Sequence, residues 1–218
     1  MLSPACDSDN VGARAFEAVA AIALLALPLG GCRRSWTITN AHPSGANLIA
    51  FGDSLTEGYR VDPGEGWPEQ LSAIIGRPIL NRGVSGNTTG DALERLERDV
   101  LAQEPRIVLV CLGGNDMLRR LPPEQQFENL RTIVRRIQGR GALVVLIGTE
   151  GFKILSKVDY GDRYEALARE TGAVYVPDLM KGVLANPALM VDEIHPNARG
   201  YAKIARRMAD EAGQYLAR

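Results

Sequence analysis

Histidine is almost missing from this chain: 218 residues hold two, His42 and His195. Chemistry that needs an imidazole base near neutral pH therefore has only two places to draw on. Cysteine is scarce as well. Cys6, Cys32 and Cys111 show neither metal-type spacing nor a pairing framework. Cys111, inside the apolar run Ile107-Val108-Leu109-Val110-Cys111-Leu112, reads as a small core residue. An excess of one charge is missing too: 25 Lys and Arg face 26 Asp and Glu, a formal net charge of −1. No basic stripe stands out, so nothing points to a nucleic-acid partner. Arg131, Arg135, Arg136 and Arg140 read as the wet face of a helix. There is no internal repeat and no sign of a second domain. What remains is ordinary globular composition, 45% apolar and 23% charged, in a chain long enough for one core without staples.

The start of the chain reads as an address. Ala15 to Leu29 is apolar except for Glu17, too short for a membrane span of about 20 residues and suited to the hydrophobic part of an export signal, with Arg14 ahead of it. It ends Leu29-Gly30-Gly31-Cys32, which resembles a bacterial lipobox, with Cys32 the residue that receives lipid; an ordinary cleaved signal and an uncleaved segment are the alternatives. Residues 1–13 carry Asp7 and Asp9 and no Lys or Arg, wrong for the head of such a signal, and a start downstream of Met1 would repair this. The expectation is a signal peptide over 1–31, a tether over 32–46, a domain over 47–218, and an exported cell-envelope protein held at a bacterial membrane by lipid on Cys32. His42 lies in the tether and reads as a solvated linker residue.

From residue 47 apolar runs alternate with helical patterns. Strands are predicted at 47–51, 78–81, 107–112, 143–147 and 174–176, mostly continuous runs of the kind buried on both faces. Helices are predicted at 67–75, 88–103, 124–138, 160–171 and 197–216, with glycines and prolines at the joints. This alternation predicts an α/β fold: a parallel sheet of about five strands with helices on both faces. The segments Gly52–Ser54, Gly83–Gly86, Gly113–Asp116 and Gly148–Phe152 each follow a strand, so they gather at one sheet edge, where such folds keep their chemistry.

Ser54 sits two residues after Gly52, the glycine that stops the first apolar run, just past the end of the first strand. A hydroxyl is a poor nucleophile until a base takes its proton and a carboxylate orients that base. His195 is the only histidine in the domain, and Asp192, three residues earlier, is within reach of its Nδ1–H. Acyl transfer also needs donors where the carbonyl oxygen turns negative. Gly86 can offer a close N–H, Asn115 a side-chain amide, and Ser54 its own N–H. The plainer readings are that Ser54 or Thr56 caps a helix, that the glycines only turn the chain, and that Asn197 caps the last helix. Ser85 is a rival nucleophile. The Gly-x-Ser-x-Gly elbow of the usual α/β-hydrolases is absent.

Four blocks, Gly52-Asp53-Ser54-Leu55, Gly83-Val84-Ser85-Gly86-Asn87-Thr88, Gly113-Gly114-Asn115-Asp116 and Asp192-Glu193-Ile194-His195-Pro196, together resemble those of the GDSL, or SGNH, hydrolases over roughly 47–216. The resemblance implies a three-layer α/β/α sandwich, flavodoxin-like, with no metal and no cofactor. It also implies Ser54 as nucleophile, Asp192 and His195 completing the triad, and Ser54, Gly86 and Asn115 forming the oxyanion hole, Gly83 being the weaker glycine candidate. Gly58-Tyr59-Arg60, Trp67-Pro68 and Tyr160-Gly161-Asp162-Arg163-Tyr164 look most like the bacterial arylesterase branch, which includes acyl-CoA thioesterases and lysophospholipases. The expected substrate is a small-molecule or lipid acyl ester or thioester. A carbohydrate O-acetyl esterase and a non-catalytic ligand-binding lipoprotein are the alternatives; an aspartyl-phosphate enzyme on Asp53 lacks the Asp-x-Asp spacing it would need. Met117, Leu118, Leu121, Phe152, Ile154 and Leu155 are candidates for an acyl groove or for plain core.

Overall fold

A computed structural model describes residues 36–149 and 160–216. The signal segment, Cys32, and the groove candidates Phe152, Ile154 and Leu155 lie outside the described residues. Five strands, β1 (Asn47–Gly52), β2 (Ile79–Gly83), β3 (Pro105–Cys111), β4 (Leu143–Ile147) and β5 (Val174–Val176), form one sheet in the order β2-β1-β3-β4-β5, every neighbouring pair parallel. The strand order reverses at β1 and β3, so the loops leaving these two strands open a crevice at their carboxyl ends. β4 and Ile107–Cys111 of β3 are buried throughout, as their uninterrupted apolar runs require, whereas β2 at the edge is half-buried. Pro105 starts β3, a position where its missing N–H breaks no ladder.

The helices are α1 (Ser54–Glu57), α2 (Trp67–Ile75), α3 (Thr89–Asp99), α4 (Gly114–Leu118), α5 (Pro123–Gln138), α6 (Tyr160–Thr171) and α7 (Ala198–Leu216). α2 packs on α7, and α5 packs on both α3 and α6, which gives the two helical layers that sandwich the sheet. Trp67, Phe51, Tyr164 and Tyr201 are fully buried between the layers; each such side chain contributes on the order of 1.5–3 kcal/mol. The expected arginine face is wet but paired: Arg131 and Arg135 meet Glu170 of α6, while Arg136 and Arg140 meet Glu97 of α3. The helix expected over 88–103 ends at Asp99 and continues as a 3-10 turn over Leu101–Gln103. Two short helices, α1 and α4, stand where only loops are expected.

Residues 36–46 are not a loose lead. Trp36 Nε1 donates to the Ala173 carbonyl at 2.8 Å, Thr39 N–H to Gly172 at 2.8 Å, Asn40 Nδ2 to Gln138 and Ala142 at 2.9 Å, and Ala46 N–H to Glu104 at 3.0 Å. The segment therefore crosses the amino ends of β5, β4 and β3 before it turns into β1. Its composition lacks periodicity because it is held by carbonyl acceptors at helix ends and not by an apolar face. His42 is exposed.

Candidate active site

β1 ends at Gly52, and the chain turns at once into α1. Asp53 is the N-cap of this helix: its Oδ1 accepts the Leu55 N–H at 3.0 Å. The capping role open to Ser54 or Thr56 thus belongs to Asp53, and Ser54 is left as the first helical residue with its hydroxyl at a cleft. Opposite, residues 190–196 form a tight loop closed by an antiparallel bridge between Met190 and Pro196 and a hydrogen bond from Val191 N–H to the His195 carbonyl at 2.8 Å. Within it Asp192 Oδ1 accepts the N–H groups of Ile194 at 2.9 Å and His195 at 2.8 Å. The carboxylate also faces His195 Nδ1, at 3.1 Å from Oδ1 and 3.0 Å from Oδ2. With Nδ1–H donating there, Nε2 is the acceptor nitrogen, and it lies 3.1 Å from Ser54 Oγ. Asn197 accepts the Gly200 N–H at 3.1 Å and so starts α7, which leaves His195 clear of any capping task.

The two carboxylates here differ in state. Burial pushes the Asp53 carboxyl up to about 7, against the pull of the Leu55 N–H and its own backbone N–H, with the neighbouring Asp116 charge adding to the rise. Partial burial also opposes charge on Asp192. There, however, the Ile194 N–H, the His195 ring and the His195 N–H win, and hold the carboxyl down at about 2.

The remaining loops come from β2 and β3. Gly83 sits so close to α1 that a side chain would collide with the Glu57 backbone, and its N–H is taken by Asn81 Oδ1 at 2.9 Å. Its role is close approach, and Gly86, not Gly83, lines the cleft. Gly86 has φ +79° and gives its carbonyl to Arg119 Nη2 at 2.7 Å. Ser85, the rival nucleophile, donates both its hydroxyl and its N–H to the exposed Glu57 carboxylate and has no imidazole partner among its hydrogen bonds. Asn115 opens α4. Its Nδ2 donates to the Asn87 carbonyl at 3.0 Å and lies 3.4 Å from Asp53 Oδ2. Buried Asp116 ties α4 to α3 by accepting the Thr89 N–H at 2.9 Å and hydroxyl at 2.6 Å.

Ser54, Gly86, Asn115 and His195 therefore meet at one cleft of about 340 Å³, whose apolar walls come from Leu55, Tyr59, Leu118 and Ile194. Of the groove candidates, Leu118 lines this cleft, Met117 is buried in the core, and Leu121 is exposed outside the lining. Tyr59, which the sequence shows only as part of the Gly58-Tyr59-Arg60 likeness, is a wall residue; its ring lies 4.8 Å from that of His195, and the Arg60 Nε lies 3.5 Å from Asp192 Oδ2. Among the described residues no group of three or more His, Cys, Asp or Glu side chains is arranged to hold a metal ion. The array has a hydroxyl, an ordered imidazole, a carboxylate behind it and donors beside the hydroxyl, which are the parts of nucleophilic acyl transfer.

Residues 50–203 match the model of the GDSL-like lipase/acylhydrolase family. An arylesterase of Vibrio mimicus is 31% identical over 209 residues, covering 89% of this chain and all of that protein. The thioesterase 1/protease 1/lysophospholipase L1 of Escherichia coli is 34% identical over 175 residues, 75% of this chain and 82% of that one. Among solved structures, that of TesA superposes with a TM-score of 0.72 at 26% identity, over 78% of this chain and 100% of that chain.

Proposed function

The chain belongs to the GDSL-like lipase/acylhydrolase family and is a carboxylic ester hydrolase, and from that premise we propose that it cleaves acyl esters and thioesters through an acyl-enzyme on Ser54. His195 Nε2 takes the Ser54 proton as Oγ attacks the carbonyl carbon. Asp192 holds the imidazole in the tautomer that leaves Nε2 free and stabilises the imidazolium that forms. The oxyanion rests on the N–H groups of Ser54 and Gly86 and the amide of Asn115. His195 then protonates the leaving alcohol or thiol, and water repeats the cycle on the acyl group. The observation that carries this reading is the continuous run from Asp192 through His195 Nδ1 and Nε2 to Ser54 Oγ, with both junctions at 3.0–3.1 Å.

The apolar walls supplied by Leu55, Tyr59, Leu118 and Ile194 favour an acyl chain over a sugar beside the reacting carbonyl. The sequence around Cys32 supports the further reading that lipid on that residue keeps the enzyme at a membrane, close to lipidic esters. One experiment addresses the chemistry: labelling with a fluorophosphonate probe alongside hydrolysis of nitrophenyl esters from acetate to octanoate and longer. Labelling of wild type but not of Ser54→Ala, with rates favouring the longer esters, is expected. An unlabelled wild type would favour a binding protein, and activity confined to acetate would favour an O-acetyl esterase.

A further inference from the structure

Arg95 is a buried charge to which the reaction above gives no task. It sits on the inner face of α3 beside Ala92 and Leu96, 9% exposed. Its guanidinium reaches three pieces of the site's foundation. Nη2 donates to the carbonyl of Gly52 at 2.8 Å, the last residue of β1 and two before Ser54. Nη1 donates to the carbonyl of Arg82 near the end of β2 at 3.0 Å, and to Asp99 at 3.0 Å. Nε donates to Asn87 Oδ1 at 2.6 Å, and the plane lies over the Phe51 ring, 4.4 Å from its centroid. Charge neutralisation alone needs only Asp99. The planar fork is used instead to join two strand ends and the residue that follows Gly86.

Asn87 is the link onward. Its side chain is fixed by Arg95, and its main-chain carbonyl accepts one N–H of the Asn115 amide at 3.0 Å. Neither Asn87 nor Arg95 lines the cleft. We propose that Arg95 and Asn87 are positioning residues of the oxyanion hole: Arg95 locks Asn87, and the Asn87 carbonyl holds one N–H of the Asn115 amide at 3.0 Å and so sets its plane, leaving the other N–H, which makes only a long 3.4 Å contact to Asp53 Oδ2, to turn to the developing oxyanion. The proposal rests on the reading of Asn115 as an oxyanion donor. A misaligned donor loses only interactions made in the transition state, so the cost falls on kcat and not on KM.

The test is a double-mutant cycle on the full chain with a nitrophenyl ester. Asn115→Ala is expected to lower kcat about 10²–10³-fold. Asn87→Ala is expected to lower it about tenfold with KM within about twofold, and to weaken inhibition by a trifluoromethyl ketone by the same factor, because that adduct carries the oxyanion. In the Asn115→Ala background, Asn87→Ala should change kcat by less than about twofold. Asn87→Asp still offers Arg95 an oxygen and should restore kcat to within about threefold of wild type. Arg95→Lys keeps the charge without the fork and should lose at least as much as Asn87→Ala; if that variant does not fold, the Asn87 cycle decides alone. Losses that multiply across the cycle, or an Asn87→Ala effect on KM only, would overturn the positioning role while leaving Asn115 as a donor. Wild-type kcat in Asn115→Ala would instead overturn the reading of the hole itself.

Discussion

The joint between β1 and α1 and the loop over residues 190–196 each bring an aspartate to the site, Asp53 next to Ser54 in the chain and Asp192 behind His195, and they treat it in opposite ways. Asp53 is 2% exposed and receives two backbone N–H groups, too few to offset its loss of water, so its carboxyl is pushed up to about 7. Asp192 keeps 30% of its side chain in solvent, accepts two N–H groups from its own loop and faces the His195 ring, and is held at about 2. Adjacency to Ser54 in the chain therefore says little about which carboxylate meets His195. Burial and the direction of the carboxylate decide, and only the 190–196 loop aims its carboxylate at an imidazole.

This contrast breaks first on activity. Asp192→Asn, which preserves shape but not the charge that fixes the tautomer, should lower kcat by about 10⁴-fold. Asp53→Asn keeps an acceptor for the Leu55 N–H and should leave kcat within about tenfold of wild type. Equal losses in steady-state kinetics would erase the distinction between the two regions.

It sharpens next on stability. Asp53 binds its proton more tightly folded (about 7) than at its ordinary value of 3.8, so its contribution is full below pH 3.8 and is lost as pH rises through 7. Asp192 runs the other way: its contribution is present above pH 3.8 and is lost as pH falls towards 2. Urea unfolding from pH 4 to 7 should therefore show the stability of wild type falling relative to Asp53→Asn. Parallel curves would refute the account of Asp53 as a buried, proton-holding acid.

The smallest expected effect lies at Arg60. Its Nε is 3.5 Å from Asp192 Oδ2 with 51% of its side chain exposed, a pair of the kind that contributes about 0–1 kcal/mol. Arg60→Met should change kcat by less than about threefold in moderate salt. A loss comparable to that of Asp192→Asn would move the support of Asp192 from its own loop to this arginine.

Most of the scaffold is legible in the amino-acid sequence, for a physical reason. Strands such as Ile107–Cys111 and Leu143–Ile147 must be apolar on both faces, and long helices such as α5 and α7 need a periodic face; both leave patterns. The β-end loops carry Ser54, Gly86 and Asn115 because parallel strands deliver their loops to one edge, and the rarity of histidine isolates His195. What is not legible is short or made by the main chain. α1 and α4 have four and five residues, less than a period and a half, so nothing in them repeats. Residues 36–46 look like a tether because their anchors are carbonyls at the ends of other elements. Arg95 did leave a trace, as a charge on the apolar stripe of α3 between Ala92 and Leu96, but that pattern carries no information about Asn87 or Asn115.

The strap over residues 36–46 also fixes how the molecule can be handled. It enters at the amino ends of the strands, while the cleft opens at their carboxyl ends; β3, with seven residues, separates the two by about 20 Å. A resin or carrier coupled at the exposed His42 of the strap would load the back of the catalyst and leave its mouth facing the solution.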